Sequence, residues 1–171
     1  MGRKRFDQMN CGIAQALEAL GDWWTLLIIR DAFFGARRFS DFERSLGIAK
    51  NVLSARLQHL VDHEIFERVD VGEEGERFEY RLTEKGEALL TVLTAMREWS
   101  DEWVYGRGNE PLIFRDRRTG RRAPKLRVTD PEGRVLRRRD LLAEPGPGAS
   151  PETIRRFQKV RSDGRVSTES R

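Results

Sequence analysis

Cysteine is nearly absent from this chain. Its 171 residues include one, Cys11, which excludes an internal disulfide and any zinc site built on several thiolates. Long apolar runs are absent too. The longest, Trp23-Trp24-Thr25-Leu26-Leu27-Ile28-Ile29, is cut by Arg30-Asp31 and falls far short of the roughly 20 residues of a membrane-spanning helix. The basic start, Met1-Gly2-Arg3-Lys4-Arg5, leads into no apolar signal core, and Phe6 stands where an acylation motif needs Ser or Thr. No Ser-His-Asp set, glycine-rich phosphate loop or paired-carboxylate motif stands out, so neither enzymatic activity nor a cofactor is expected. His59 and His63 are four apart, a spacing that suits a metal, but no third ligand is evident. They read as surface or interface histidines, and no metal is expected. Together these absences predict a cytoplasmic protein.

Charge, by contrast, is abundant. Charged residues make up 35% of the chain and hydrophobic ones 38%, enough for one core domain plus an appendage. The net charge of +4 hides an asymmetry. Residues 1–106 carry 14 Lys and Arg against 19 Asp and Glu, a net of −5, whereas residues 107–171 carry 18 against 9, a net of +9. Between Arg30 and Arg56 there is a local excess of three positive charges, adequate for contacts with phosphates.

Periodicity predicts a helix over Cys11–Leu20, with an apolar stripe of Ile13, Leu17 and Leu20. Gly21 ends it, and Asp22 suits the N-cap of the next helix, Trp23–Phe34, which is apolar almost all round and is expected at the centre of the core. A third helix is predicted to start at Ser40, as its cap, and to end at Gly47. A fourth spans Ala49–His63. Two short amphipathic helices broken at a Gly form a helix-turn-helix, a unit whose second helix can enter the DNA major groove. The stretches 66–71 and 78–82 alternate as strands do and flank a Gly72-Glu73-Glu74-Gly75 turn, so they are predicted to pair as a hairpin. Thr83 is expected to cap a final helix of about 20 residues, ~30 Å long. Its stripe of Leu89, Leu90, Val92, Leu93, Met96, Trp99 and Trp103 is longer than the core requires, and part of it is expected to meet another subunit. Beyond Gly106, residues 112–114, 125–128 and 134–136 read as short strands, and the polar run from Arg161 reads as disordered.

Taken together, Cys11, the Leu20-Gly21-Asp22-Trp23-Trp24-Thr25-Leu26-Leu27-Ile28-Ile29-Arg30 run, Arg37-Arg38-Phe39, Val52-Leu53-Ser54-Ala55-Arg56-Leu57 and Tyr80-Arg81-Leu82-Thr83-Glu84-Lys85-Gly86 resemble the HxlR family of bacterial winged helix-turn-helix regulators, relatives of the MarR family. The resemblance covers roughly residues 9–105. It implies a homodimeric transcription factor that binds a pseudo-palindromic operator. Three positions depart from the family pattern. Ala49 replaces the usual Ser cap of the recognition helix. Glu64 replaces the Gly that usually ends it. The wing tip, Glu73-Glu74-Gly75-Glu76, is acidic and leaves Arg77 as its one basic neighbour. The C-terminal part resembles an extension of some family members, a zinc-ribbon-like hairpin module, without the paired cysteines and therefore metal-free.

The candidate DNA contacts follow from the predicted helix faces. With Val52, Leu53, Leu57 and Leu60 turned inward, Lys50, Asn51 and Ser54 face outward at the start of the fourth helix. That end of a recognition helix touches base edges. Arg37, Arg38 and Ser40 are candidates for phosphate contacts that fix register, and Arg77 is one at the wing. Arg37 and Arg38 are otherwise a solvated pair or partners of Asp41. Arg56 reaches a phosphate or pairs with Glu43. One of Trp23 and Trp24 is expected to anchor the core, and the other to line a pocket between subunits. Ile13, Leu17, Leu89, Leu93, Met96, Trp99 and Trp103 are assigned to the dimer interface. Cys11 has two readings. It is a reactive thiol, activated by the helix N-terminus and by Arg3, Lys4 and Arg5, or a small buried one without reactivity.

The expected fold is mainly α with a small β-hairpin wing, a winged helix-turn-helix of the α+β class, followed by a small β-rich appendage. Residues 1–106 form the DNA-binding and dimerisation domain, 107–160 the basic appendage and 161–171 a disordered tail. The expected function is that of a dimeric regulator, a repressor, that binds double-stranded DNA and responds to a small molecule or an electrophile. In a bacterium it would be cytoplasmic and at the nucleoid when bound. The alternative is a winged-helix module for protein–protein interaction without specific DNA binding. The Arg-rich C-terminal part either grips DNA non-specifically or packs on the acidic body.

Overall fold

A computed structural model describes residues 6–72 and 77–162. The elements run α1 (Gly12–Leu20), α2 (Trp23–Phe33), α3 (Phe39–Leu46), α4 (Lys50–Asp62), β1 (Phe66–Asp70), β2 (Phe78–Leu82), α5 (Glu84–Glu87) and α6 (Leu89–Ser100). A π-helical segment (Asp101–Tyr105), a 3-10 turn (Arg138–Asp140) and α7 (Pro151–Ser162) follow. This is the winged helix-turn-helix arrangement expected, helical with one antiparallel hairpin. No helix among the described residues is long and apolar enough to cross a membrane.

The described residues fall into two compact units. One is Leu17–Leu126, and the other combines the residues up to Ala16 with those from Arg127 onward. This division differs from a boundary at residue 106, and the reason is electrostatic. Arg107 and Lys125 both pair with Glu102, at 2.8 and 3.3 Å, and the Leu126 N–H donates to the Glu98 carboxylate at 3.0 Å, so residues 107–126 stay with the helices. In the other unit, the Asn10 side chain donates to the Gly148 carbonyl at 3.1 Å and accepts from the Ser150 N–H at 2.8 Å.

In the helical unit, α2 supplies Ile28 and Ile29 to a core completed by Phe42, Leu53, Leu57, Leu60, Ile65 and Phe66. Asp22 caps α2 as expected, accepting from the Trp24 N–H at 3.0 Å. Helix α3 starts one residue earlier than Ser40. Its cap position is Arg38, and the carboxylate that serves it is Asp41, which accepts from the Arg38 and Arg37 N–H groups at 3.0 and 3.3 Å. Those two donors hold the Asp41 carboxyl below the usual carboxylate range.

Helix α4 ends without the expected glycine. Glu64 itself adopts φ 56°, and the Glu64 and Ile65 N–H groups donate to the Val61 and Leu60 carbonyls at 2.9 Å each. The chain is thereby turned into the hairpin, which pairs Phe66 with Leu82 and Arg68 with Tyr80. The acidic tip, residues 73–76, lies outside the described residues.

The predicted final helix is present in three pieces, α5, α6 and the π-helical segment. Thr83 caps it as expected, accepting from the Gly86 N–H at 3.1 Å while its hydroxyl donates to the Glu64 carbonyl at 2.6 Å. Gly86 is obligatory here, because a Cβ on it would meet the Ile65 carbonyl oxygen at 2.3 Å.

The predicted β-rich appendage is the largest correction. Its strands reduce to two isolated antiparallel bridges, Arg115 with Arg122 and Thr129 with Val135. Each closes a turn on an aspartate. The Asp116 carboxylate accepts from the Arg118 and Thr119 N–H groups at 2.7 and 3.0 Å, and Asp130 accepts from the Arg134 N–H at 2.7 Å. Among the described residues, these segments have no third strand to extend the pairing. Helix α7 was not predicted, and it takes in Arg161 and Ser162 of the expected tail; residues 163–171 lie outside the described ones.

Candidate nucleic-acid interface

The putting together of α3, the Gly47 turn and α4 leaves one face of α4 open. Gly47 takes φ 62° to turn the chain, and Leu53, Leu57 and Leu60 are fully buried. Lys50, Asn51 and Ser54 are exposed. Ala49 offers no side chain to cap α4, so the first N–H groups of the helix have no side-chain acceptor. The Lys50 ammonium rests 3.5 Å from Glu43 and is 76% exposed; an exposed pair of this kind is worth only ~0–1 kcal/mol.

Arg37, Arg38 and Ser40 lie exposed at the start of α3. The backbone of Arg37 and Arg38 is held by Asp41, and that of Arg37 also by the Tyr80 N–H, which donates to the Arg37 carbonyl at 2.7 Å. That bond ties the α2–α3 loop to the wing strand β2. The Arg38 guanidinium is 3.8 Å from Glu79 and remains largely exposed. Arg77 is exposed at the base of the wing.

Arg56 is placed differently from its expected pairing within the protein. It pairs with Asp22 at 2.5 Å rather than with Glu43, and its guanidinium is turned into the protein, with a buried Nε that has no partner. Glu43 is the partner of Lys50 instead. Asp22 therefore joins the start of α2 to the middle of α4. No signal local to either residue marks a pair 34 positions apart in sequence.

The residues assigned to a dimer interface divide into two groups. Leu89 and Leu93 pack against the hydrophobic core. Met96, Trp99 and Trp103 lie on α6 and the π-helical segment and are exposed, Trp103 by 72%. Leu17 and Ile13 on α1 are exposed as well. Trp24 is half-buried, whereas Trp23 is as exposed as Trp103. His59 is also structural. Its Nε2 lies 2.9 Å from the Ala19 carbonyl, and its ring stacks on His63 at 4.1 Å between centroids.

Cys11 is exposed, not buried. Backbone N–H groups of Ala14 and Ile13 hold its thiol below the usual cysteine value, and Arg156 adds a smaller effect in the same direction. Arg3, Lys4 and Arg5 lie outside the described residues.

A buried three-helix core, an antiparallel hairpin tied to it, and an uncapped helix with a polar outer face define a winged helix-turn-helix protein. The chain belongs to the HxlR-like helix-turn-helix family, whose model matches residues 19–107. It is 40% identical over 144 residues to the HTH-type transcriptional regulator Mb3122 of Mycobacterium bovis, covering 84% of this chain and 90% of that one. Its fold is similar to the crystal structure of the candidate transcription factor PA1607, with a TM-score of 0.76 and 38% identity over 84% of this chain and all of the other. The redox regulator HypR in its reduced form matches with a TM-score of 0.50 and 26% identity, over 53% of this chain and 91% of that one. The likeness to Mb3122 and PA1607 reaches well beyond the family model, so the segments flanking the winged helix are shared with these relatives.

Proposed function

We propose that this chain is a homodimeric, sequence-specific DNA-binding repressor that places α4 in the major groove of a pseudo-palindromic operator. The observation that carries the reading is the exposed, uncapped N-terminus of α4, with Lys50, Asn51 and Ser54 on its outer face. Lys donates to guanine and Asn pairs with adenine in such a groove. Arg37 and Arg38, whose backbone is held by Asp41 and Tyr80, and the exposed Ser40 contact phosphates and fix register. Arg77 contributes at the wing. Arg56 does not take part, because Asp22 holds it. The exposed Met96, Trp99 and Trp103 support pairing through α6, with Leu17 and Ile13 contributing from α1. The two copies of α4 would then lie about 34–36 Å apart, one turn of DNA, or a multiple of that spacing.

The test is fluorescence anisotropy on DNA fragments selected from a random pool. The expected result is specific binding that weakens steeply with salt, as phosphate contacts require. Lys50→Ala combined with Asn51→Ala should abolish the specific complex while sedimentation and circular dichroism stay unchanged. Full affinity in that double variant would remove α4 from the reading.

The exposed Cys11 thiol, acidified by the α1 amides, supports oxidant or electrophile control of the same complex. As the chain's one cysteine, it would bridge to a second subunit or be capped by a small thiol. Diamide should change operator affinity of the wild type and leave Cys11→Ser unaffected; equal responses would sink the idea.

A further inference from the structure

A cavity of about 380 Å³ lies between α2, α6 and the segment after the π-helical turn, all within the Leu17–Leu126 unit. Its size falls in the ~300–1,000 Å³ range of small-molecule sites. The walls are apolar, made by Leu27 and Phe33 of α2, Leu93 and Met96 of α6, and Leu112 and Phe114 of the following segment. Thr94, Ser100 and Tyr105 supply hydroxyl groups to an otherwise apolar lining.

Each guanidinium at this cavity already has a carboxylate beside it, although Asp31 Oδ2 and Arg97 Nε are buried without a hydrogen-bond partner. Arg30 pairs with Asp31 at 2.7 Å, and Arg97 pairs with Asp101 at 2.5 Å. Both aspartates are buried. An anion would therefore gain less from Arg30 and Arg97 than from an unpaired guanidinium, while still losing its hydration against the apolar walls. The site thus favours a neutral ligand over an ion. Arg97 also builds one wall. Its guanidinium lies 4.6 Å from the centre of the Phe114 ring and donates to the Leu112 carbonyl at 3.3 Å, which fastens the segment over α6.

We infer that this cavity is an effector site for a neutral, largely apolar aromatic molecule with one or two hydroxyl or carbonyl groups. Such a molecule would fill the space between Leu27, Phe33 and Phe114 and would hydrogen-bond through the Thr94, Ser100 or Tyr105 hydroxyls. Its position gives it leverage. Helix α2 packs directly on α3 and α4, while α6 carries the exposed Met96 and Trp99 face. A molecule wedged between α2 and α6 would shift the reading helix relative to that face. Control of DNA binding by the ligand rests on the proposed function; occupancy of the cavity does not.

The experiment uses the full chain and N-phenyl-1-naphthylamine, a neutral aromatic probe that fluoresces when buried. Saturable binding of one probe per chain is expected. Its sulfonated relative 1-anilinonaphthalene-8-sulfonate should bind at least about tenfold more weakly, because Arg30 and Arg97 are each already paired with an aspartate. Ser100→Phe, which fills the space, and Phe114→Ala, which removes a wall, should each weaken the neutral probe by about tenfold or more with unchanged circular dichroism. Absence of saturable binding to the wild type would overturn the inference, and would place a second copy's side chains or solvent in the cavity. Equal binding of the sulfonate, or unchanged binding in Phe114→Ala, would overturn it as well. If Ser100→Phe fails to fold, Phe114→Ala and the sulfonate comparison decide. Loss of all specific DNA binding with probe binding intact would count against the proposed function alone.

Discussion

The helix-turn-helix region and the segment from residue 107 to 126 belong to one compact unit but are held by different forces. Ile28, Phe42, Leu53, Leu57 and Leu60 are fully buried, so α2, α3 and α4 are positioned by a dry apolar core. Among the described residues, none after Asp101 is buried. The segment is fastened to the helices instead by Arg97, Glu98 and Glu102, through ion pairs and hydrogen bonds, and Glu110 pairs with Arg122 within it. The hydrophobic effect makes the first region insensitive to salt and to mild acid. Screening and protonation act directly on the second.

The strongest way to break this comparison is to cut the core. Leu57→Ala should destabilise the protein by ~2–5 kcal/mol in urea titrations, whereas Ile113→Ala, at an exposed position of the 107–126 segment, should stay within ~0.5 kcal/mol. Comparable losses at both positions would abolish the distinction. Gly86→Ala comes next. The new methyl group would press on the Ile65 carbonyl, and a loss of about 1–3 kcal/mol is expected from the same measurement.

Acid sharpens the comparison further. The Arg107 and Lys125 partners hold the Glu102 carboxyl below the usual range, and Arg122 does the same for Glu110. A lowered native pKa means that the contribution is present above the ordinary glutamate value, about 4.3, and is lost as pH falls through the native value. Hydrogen exchange should therefore show residues 107–126 opening below about pH 4 while α2 and α4 remain protected. Simultaneous opening of both regions would count against separate origins of their order. The smallest effect is expected at Glu64→Gly. Relieving the left-handed backbone costs some unfolded-state entropy in return, so a gain of no more than ~1 kcal/mol should appear as a slightly higher Tm.

The same contrast explains what was legible in the sequence. Helices α1 to α4 and the hairpin follow from apolar periodicity and local cap chemistry, and Asp22 and Thr83 cap where they were expected to. Lys50, Asn51 and Ser54 are exposed because Leu53, Leu57 and Leu60 are not, an inference available from spacing alone. Arg38 at the cap of α3 was missed because the usual signal is a Ser, Thr, Asp or Asn at the cap itself. Here the carboxylate sits three residues inside, at Asp41. The segment beyond Gly106 was misread because alternating apolar triplets imply strands only where a partner exists to pair them. Helix α7 is very polar, and Ile154 and Phe157 are too few to signal an apolar face. Ion pairs such as Arg56 with Asp22 join residues that no local pattern connects.

That pair has a mechanical meaning. Successive residues of an α-helix are rotated by about 100°, so Arg56 and Lys50 project from different flanks of α4. Asp22 of the α2 cap holds one flank and Glu43 of α3 holds the other. The two contacts work as opposed stays against rolling of the helix about its own axis, a motion that would swing the exposed Asn51 around that axis. The outer stay is weak and exposed, while the inner one is short and half-buried. If DNA draws Lys50 away from Glu43, α4 would pivot on Arg56 alone, and the angle at which it meets the groove would become adjustable without any change in the core.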